Sequence, residues 1–273
     1  MPALVLSFLW VLLPAPALAH AAGESGWTID LWSAGLLALS AGLYLAGFRR
    51  WRARRAALFW AGWAVVAAAL LSPLYDLAED SFTAHMLEHE LLMFVAAPLL
   101  VASRPLGVLL APLPSGARRG WGRFWAALTG PMVATALHGA ALWVWHAPAL
   151  FDATLTNRAV HALQHLSLFG TALLFWWAVL VGRGAAATGR AMLGLFVTAL
   201  HSTLLAALMT LSPVPWYAYG YAYGGDPAAA LADQQAAGLI MWVPGGLAYM
   251  GVALWLLARW LGGSEAARNS AVR

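Results

Sequence analysis

The chain of 273 residues is 62% hydrophobic and 10% charged, with a mean hydropathy of +0.73. Because a soluble domain carries about a quarter charged residues, this composition excludes a soluble globular protein and predicts an integral membrane protein. The absence of cysteine excludes disulfides, thiolate catalysis and Cys-ligated zinc or iron–sulfur sites. The net charge of +4 does not predict nucleic-acid binding, since the charges lie in short loops between apolar runs.

The N-terminal segment MPALVLSFLWVLLPAPALA has an apolar run that is too short to span a bilayer. It ends in Ala-Leu-Ala, the small-residue pattern of a signal-peptidase site. We therefore expect residues 1–19 to be a cleaved signal peptide. Cleavage would leave His20 at the N-terminus, where its α-amine and imidazole could chelate copper. An ordinary polar residue behind a cleavage site is the simpler interpretation of His20.

Seven apolar stretches follow, each close to the ~20 residues that a spanning helix needs. They predict an all-α, seven-helix transmembrane bundle in residues 20–262, followed by a short polar tail at 263–273. Arginines fall after the first, third, fifth and seventh stretches, and only Arg158 falls on the other side. By the positive-inside rule, the mature N-terminus is outside and the C-terminus is cytoplasmic. The stretches are 30–48, 56–75, 82–103, 125–148, 160–182, 191–212 and 236–258.

Histidines mark the outer ends of three predicted helices. His85 and His89 open the third helix and His161 and His165 open the fifth, each pair spaced four residues apart and so on one helix face. His146, at the end of the fourth helix, is expected at the same level. Five of the eight histidines therefore converge on one leaflet. This pattern predicts a metal or cofactor site.

Further candidate ligands are expected deeper in the membrane or beside the cluster. His138 lies two turns below His146, and His201 lies mid-span in the sixth helix. A histidine with Met and without Cys is a ligand set that suits Cu(I). The alternatives are helix–helix hydrogen bonds for the deep histidines and packing for the methionines. The candidate metal ligands are His85, His89, His138, His146, His161, His165, His201, Met93, Met209 and Asp233, and Met241 lies on the same stripe as Asp233.

Charged and aromatic residues near the predicted histidine site are expected to orient its ligands or to lie at the membrane surface. Glu88 and Glu90 flank His89 and could orient imidazoles. Arg158 is expected to position a carboxylate such as Asp152. The aromatic residues of the loop 213–235 suit a belt at the water–lipid interface, with a docking surface as the alternative. They are Trp216, Tyr217, Tyr219, Tyr221 and Tyr223.

Three segments of the chain together resemble the CtaG family of cytochrome c oxidase assembly factors, over about residues 30–260. They are HMLEHELLMFVAAPLLVASRP, the HALQH at the start of the fifth helix, and DQQAAGLIMWVPGG. The matching positions are His85 and His89, then His161 and His165, then 233–246. The resemblance implies a non-enzymatic, multi-pass protein of the bacterial plasma (inner) membrane. It implies cytochrome c oxidase subunits as partners. It also implies a role in maturing the oxidase, through the copper centres of that enzyme.

Three functions remain open from the sequence. The first is a metallochaperone that accepts Cu(I) at the outer face, from a periplasmic copper donor, and passes it to the oxidase. The second is a membrane cytochrome, in which histidine pairs ligate b-type haem. The third is a zinc-dependent intramembrane hydrolase with Glu88 or Glu90 as general base. Copper delivery is favoured, because both HxxxH pairs lie at the same leaflet and no HExxH motif is present.

Overall fold

The computed structural model describes residues 31–47, 52–111, 113–182, 184–221 and 224–271. Within these ranges the regular structure is helical, without strands. The predicted signal peptide at 1–19 and His20 lie outside the described residues, so both stay predictions.

The helices of the described ranges follow one another with short connections. They are α1 (Leu31–Ala46), α2 (Ala53–Leu71), α3 (Pro73–Asp80), α4 (Phe82–Ser103), α5 (Leu106–Leu109), α6 (Ser115–Leu128), α7 (Pro131–Trp145), α8 (Pro148–Thr156), α9 (Arg158–Val181), α10 (Ala185–Leu211) and α11 (Pro227–Ala271). A 3-10 turn, Ala218–Tyr221, lies in the loop between α10 and α11.

Five of these helices, α2, α4, α9, α10 and α11, are long and apolar enough to cross a membrane. The helices α6 and α7 form a sixth span if they are taken together, although they are bent by 73°. The first predicted stretch forms α1, whose 16 residues are fewer than a straight span needs. The multi-pass helical fold is therefore confirmed, while the count of seven and the orientation stay predictions. α11 continues to Ala271, through most of the segment expected to be a polar tail.

The fourth predicted stretch, 125–148, is not one helix. The chain bends at Thr129 and Gly130, and Pro131 occupies the first position of α7. Proline is tolerated there because the first turn of a helix has no partner for its N–H, whereas it would interrupt a helix that continued through it. The residues up to Leu128 consequently belong to α6, and the prediction of a single span is wrong at its N-terminal end.

α4 lies at the centre of the bundle, in contact with α2, α3, α9 and α11. Two apolar clusters meet on it. Met86, Met93 and Ala97 belong to the main core with α9, α10 and α11, and Leu92 and Ala96 pack towards α2. A polar side chain on α4 is therefore enclosed by other helices rather than exposed to lipid.

The middle of α4 widens into a π-helical segment, Leu91–Ala96. Pro98 lies two residues after the end of this segment, where it removes an N–H and would press its ring against a carbonyl of the preceding turn. A π-bulge relieves this crowding by adding a residue to the turn. The carbonyl of Met93 accepts a hydrogen bond from Nε1 of Trp176 on α9, at 2.7 Å. The widened turn separates the histidine-bearing part of α4 from the apolar half below it.

Candidate metal centre

The start of α4 is fixed by hydrogen bonds to its free backbone N–H groups. The Ser81 hydroxyl accepts from the N–H of Ala84 at 3.3 Å. The carboxylate of Asp233 on α11 accepts from the N–H groups of Phe82 and Thr83 at 2.6 and 3.1 Å. A negative charge at a helix N-terminus also interacts favourably with the helix dipole. Asp233 thus holds α4 against α11, and this capping accounts for its carboxylate without a metal.

The start of α9 is capped in a similar way by Asn157, whose side-chain oxygen accepts from the N–H groups of Ala159 and Val160 at 2.9 and 3.3 Å. This cap fixes where α9 begins. The first turns of α9 lie beside those of α4, and the histidine pairs of both helices face each other.

Four imidazoles form one cluster between α4 and α9. The rings of His85 and His161 stack with centroids 5.4 Å apart, and those of His89 and His165 stack at 4.7 Å. Within α4, Nε2 of His85 and Nε2 of His89 are 2.8 Å apart, a hydrogen-bond distance at which one nitrogen carries the proton. The predicted convergence of the two HxxxH pairs is present in the structure.

One carboxylate lies among these rings. Oε1 of Glu88 is 3.1 Å from Nε2 of His165, and Glu88 is fully buried. Neither of its oxygens has a partner in hydrogen-bond geometry. A buried carboxyl group without hydrogen bonds is costly unless a proton or cation compensates it. The cluster therefore combines imidazole nitrogens with one carboxyl group.

Several imidazole nitrogens in the cluster and in the neighbouring His146 are buried without a hydrogen-bond partner. These are Nδ1 of His89, Nε2 of His161 and Nε2 of His146. The Nδ1 atom of His146 lies 2.6 Å from the carbonyl of Leu142, which aims its Nε2 away from α7. His146 is also close enough to His85 and His89 to interact electrostatically with both. Orphaned buried donors and acceptors are rare, and they are expected where a ligand completes the site.

An aromatic layer separates the cluster from the loop side of the bundle. Phe82, Phe151 and Tyr217 pack together with centroid distances of 4.4 to 5.0 Å, and Phe151 lies 5.2 Å from the His85 ring. The hydroxyls of Tyr217 and Tyr219 donate to the carbonyls of His146 and Ala78. Burial and the nearby Asp152 carboxylate raise the pKa of Tyr217, so this hydroxyl stays a donor.

The predicted aromatic belt is therefore wrong for Tyr217 and Tyr219. Both are buried, 7% and 5% exposed, and cover the histidine cluster instead of facing lipid headgroups. We call Phe82, Phe151, Tyr217 and Tyr219 the aromatic cover. The side chains of the remaining tyrosines of this loop, at 221 and 223, lie outside the described residues.

The two deep histidines lie apart from the four-histidine cluster. His138 places Nδ1 3.2 Å from the Thr171 hydroxyl and stacks on Phe175 at 5.4 Å. His201 is partly exposed, and neither of its ring nitrogens has a partner. Its ring lies against Gly139, where an added Cβ would come within 3.0 Å of Nε2. The helix–helix hydrogen bond considered for His138 is thus present.

The predicted methionine ligands lie in the main apolar core. Met93, Met209 and Met241 are at most 7% exposed and belong to the same core cluster. Met93 falls in the π segment, so that α-helical four-residue spacing no longer aligns it with His89. Packing accounts for the burial of all three.

The expected contact between Arg158 and Asp152 is not formed. Arg158 is exposed at the start of α9. Oδ1 of Asp152 instead accepts a hydrogen bond from the N–H of Ala218 at 2.8 Å, which ties α8 to the loop that carries the aromatic cover. The sequence placed these two residues near the site, but it did not indicate which backbone group the carboxylate would meet.

Besides the phenylalanines of the aromatic cover, two residues beside the imidazoles were not predicted. Gln164 is buried between His161 and His165 and is close enough to His85 to interact with its ring. Tyr75 on α3 stacks on His161 at 5.8 Å. A polar glutamine within a membrane-spanning helix is costly unless it has a role, so its presence in the HALQH segment could have indicated Gln164. No feature of the sequence indicated Tyr75.

The donor atoms of the cluster suit a soft monovalent ion such as Cu(I), but their present spacing is too short to hold one. Among the described residues, no three His, Asp or Glu side chains converge in a complete metal-binding arrangement. The 2.8 Å between the Nε2 atoms of His85 and His89 is shorter than the ~3.3 Å that separates two nitrogens on one tetrahedral ion. Small rotations of the rings would be required to admit an ion. The donor set itself suits copper or zinc.

These features define a multi-pass helical membrane protein with a buried histidine cluster near one end of the bundle. A sequence model of the family described as cytochrome c oxidase caa3 assembly factor (Caa3_CtaG) matches residues 42–262. The chain belongs to this family, which confirms the resemblance found in the three segments. No curated protein and no solved structure matches the chain.

Proposed function

We propose that this assembly factor binds Cu(I) at the four-histidine cluster on the outer side of the membrane and passes it to the copper centres of the oxidase. The observation that carries the proposal is the set of four contacting imidazoles around a single buried carboxylate. Imidazole nitrogens bind Cu(I) well, and the Glu88 carboxylate would balance one positive charge in a site removed from water.

Displacement of the aromatic cover would let the proposed site exchange copper with a partner protein. An ion carried as cargo must be shielded from water yet released on contact with a partner. Two of its rings, Tyr217 and Tyr219, belong to the loop after α10, which a few hydrogen bonds hold against the bundle, including that from the Tyr217 hydroxyl to the His146 carbonyl at 2.9 Å. A periplasmic copper donor or an oxidase subunit that displaced this loop would open the site.

The two alternatives find less support in the cluster. Bis-histidine haem needs the two ligating nitrogens about 4 Å apart on opposite faces of the porphyrin, whereas the facing rings here stack in direct contact. A zinc hydrolase needs an open coordination position for water, whereas this cluster lies beneath the aromatic cover. No observation specifically favours either.

The proposal is tested with the purified full-length protein in detergent, loaded anaerobically with Cu(I) against a chromophoric competitor. We expect copper binding that His85→Ala and His89→Ala weaken strongly, because each removes a nitrogen donor. His201→Ala is the matched control, since it removes a membrane-embedded histidine outside the cluster and should bind copper like the unmodified chain. The haem and zinc contents of the same samples distinguish the alternatives.

A second readout is the oxidase itself. Membranes from cells carrying His85→Ala should contain the inserted assembly factor but less copper in the oxidase and lower oxidase activity. Normal copper binding by both alanine variants would overturn the proposal. Equal loss in His201→Ala would move the site to the deeper histidines.

A further inference from the structure

The end of the bundle opposite the histidine cluster contains a basic hollow. The cluster lies in the first turns of α4 and α9, whereas this hollow of about 260 Å³ lies where α4 ends. Its walls include Arg52, Arg55 and Arg104, together with the buried Tyr44. Arg104 ends α4 in a left-handed conformation with φ 53°, which directs the chain into α5.

Three guanidinium groups around one hollow repel each other unless an anion lies between them. None of these arginines forms an ion pair with any described residue. The guanidinium group stays charged at any physiological pH and presents a planar fork of donors that matches phosphate oxygens. The hollow is therefore suited to a phosphate group.

A second hollow, of about 480 Å³, adjoins the first, and Gly107 of α5 lines both. Its walls are mostly apolar and include Trp121 and Trp125 of α6 and Trp177 of α9. Trp125 and Trp177 meet edge to face at 5.5 Å. The Nε1 atom of Trp125 is buried and has no hydrogen-bond acceptor. Among the described residues of this wall, Arg118 is the one that is basic.

The helix that carries these tryptophans has the pattern of an interfacial helix. Arg118, Trp121 and Trp125 share the face that lines the hollow, at spacings of three and four residues. Trp121 and Phe124 are 40% and 53% exposed. The bend of 73° to α7 turns α6 away from the direction of the spanning helices. A basic helix with exposed aromatic residues, lying across the bundle end, is typical of the water–lipid boundary.

We propose that the two hollows together bind one anionic phospholipid, with its phosphate between Arg52, Arg55 and Arg104 and an acyl chain along the tryptophans. An amphipathic ligand is required because a basic hollow and an aromatic hollow adjoin at Gly107. Charge selects an anionic headgroup, since basic residues beside a membrane attract anionic lipids. The site involves none of the histidines, so it does not depend on the proposed copper site.

The test uses the full-length protein, delipidated in detergent and titrated with dioleoyl phosphatidylglycerol, with binding followed by native mass spectrometry. Dioleoyl phosphatidylcholine and inorganic phosphate are titrated in parallel. We expect phosphatidylglycerol to bind at least tenfold more tightly than phosphatidylcholine, and inorganic phosphate alone not to bind. The double variant Arg52→Gln/Arg55→Gln should weaken phosphatidylglycerol binding about tenfold or more. Arg54→Gln, exposed between them and outside the hollow, should change it less than about twofold.

A second pair of variants tests the aromatic hollow without altering charge. A Cβ at Gly122 or at Gly120 meets nothing within 4 Å, but only Gly122 lines the hollow. Gly122→Leu should fill it and reduce lipid binding, whereas Gly120→Leu should not. Equal binding of the two lipids, equal effects of the matched variants, or binding of inorganic phosphate in place of the lipid would each overturn the proposal.

Discussion

Glu88 differs from its neighbour Glu90 in what surrounds it, although both are buried in α4. Two residues apart on a helix, the two side chains point to different faces. Glu88 faces the imidazoles of α9. Glu90 faces α11, where its Oε2 lies against Gly245 and where it interacts electrostatically with Tyr249. Only Glu88 is placed to compensate a cation held by the histidines.

We therefore expect Glu88→Gln to weaken Cu(I) binding by about 10- to 100-fold, the usual range for a residue that supports metal ligands. The substitution keeps the shape of the side chain and removes its charge. Competition titrations of the purified variants measure the change, and Glu90→Gln serves as the matched control with nearly unchanged affinity. A similar loss in both variants would show that general packing, not the local charge, is responsible.

Gly238 lies where α10 and α11 pack closely. A Cβ at Gly238 would collide with the Thr210 hydroxyl and come within 2.9 Å of the Thr210 N and 3.0 Å of the Ala206 carbonyl oxygen. Because two of these are backbone atoms, the helices themselves would have to separate. Small residues at such crossings are characteristic of membrane helices.

Gly238→Ala is accordingly expected to destabilise the protein by about 1–3 kcal/mol, the usual cost of overpacking. Gly251→Ala in the same helix meets nothing within 4 Å, and it should be neutral or stabilising because alanine favours helix. Unfolding in mixed detergent, followed by circular dichroism, compares the two. A stable Gly238→Ala would mean that α10 and α11 do not pack as closely as described.

The helix elements also show where periodicity fails as a predictor. The stretch 82–103 was predicted from its apolar residues with the bounds that α4 has, and in the structure Ser81 caps its start and Arg104 follows its end. The π segment within it was not predicted, because the four-residue spacing of apolar residues does not show how the turn before Pro98 adjusts to the proline ring. The bend between α6 and α7 was missed because the apolar residues that end α6 lead into those of α7 with no charged residue between them.

At the scale of the whole molecule, the histidine cluster and the arginine-rich hollows lie at opposite ends of the bundle. The positive-inside rule predicts that the arginine end is cytoplasmic. The copper proposal needs this orientation, because the cluster must then lie at the outer side, where the aromatic cover can meet a donor. The loop from α10 to α11 is therefore the surface on which partner contacts are expected.

The orientation can be measured with single cysteines, since the chain has none of its own. Ala228→Cys, exposed at the start of α11, should react with a membrane-impermeant maleimide in right-side-out vesicles. Ala117→Cys, exposed on α6, should react only in inside-out vesicles. The opposite pattern would place the histidine cluster on the cytoplasmic side and contradict delivery from outside.

The sequence by itself determined that the protein is helical and membrane-embedded, and that two HxxxH pairs share one end. Hydropathy and four-residue spacing act locally along the chain, so they are readable without a fold. The tertiary structure alone decided that Asp233 caps α4, that the methionines are core residues, and that Tyr217 and Tyr219 cover the cluster. Each of these depends on which helices are neighbours, and that is set by packing between residues far apart in the sequence.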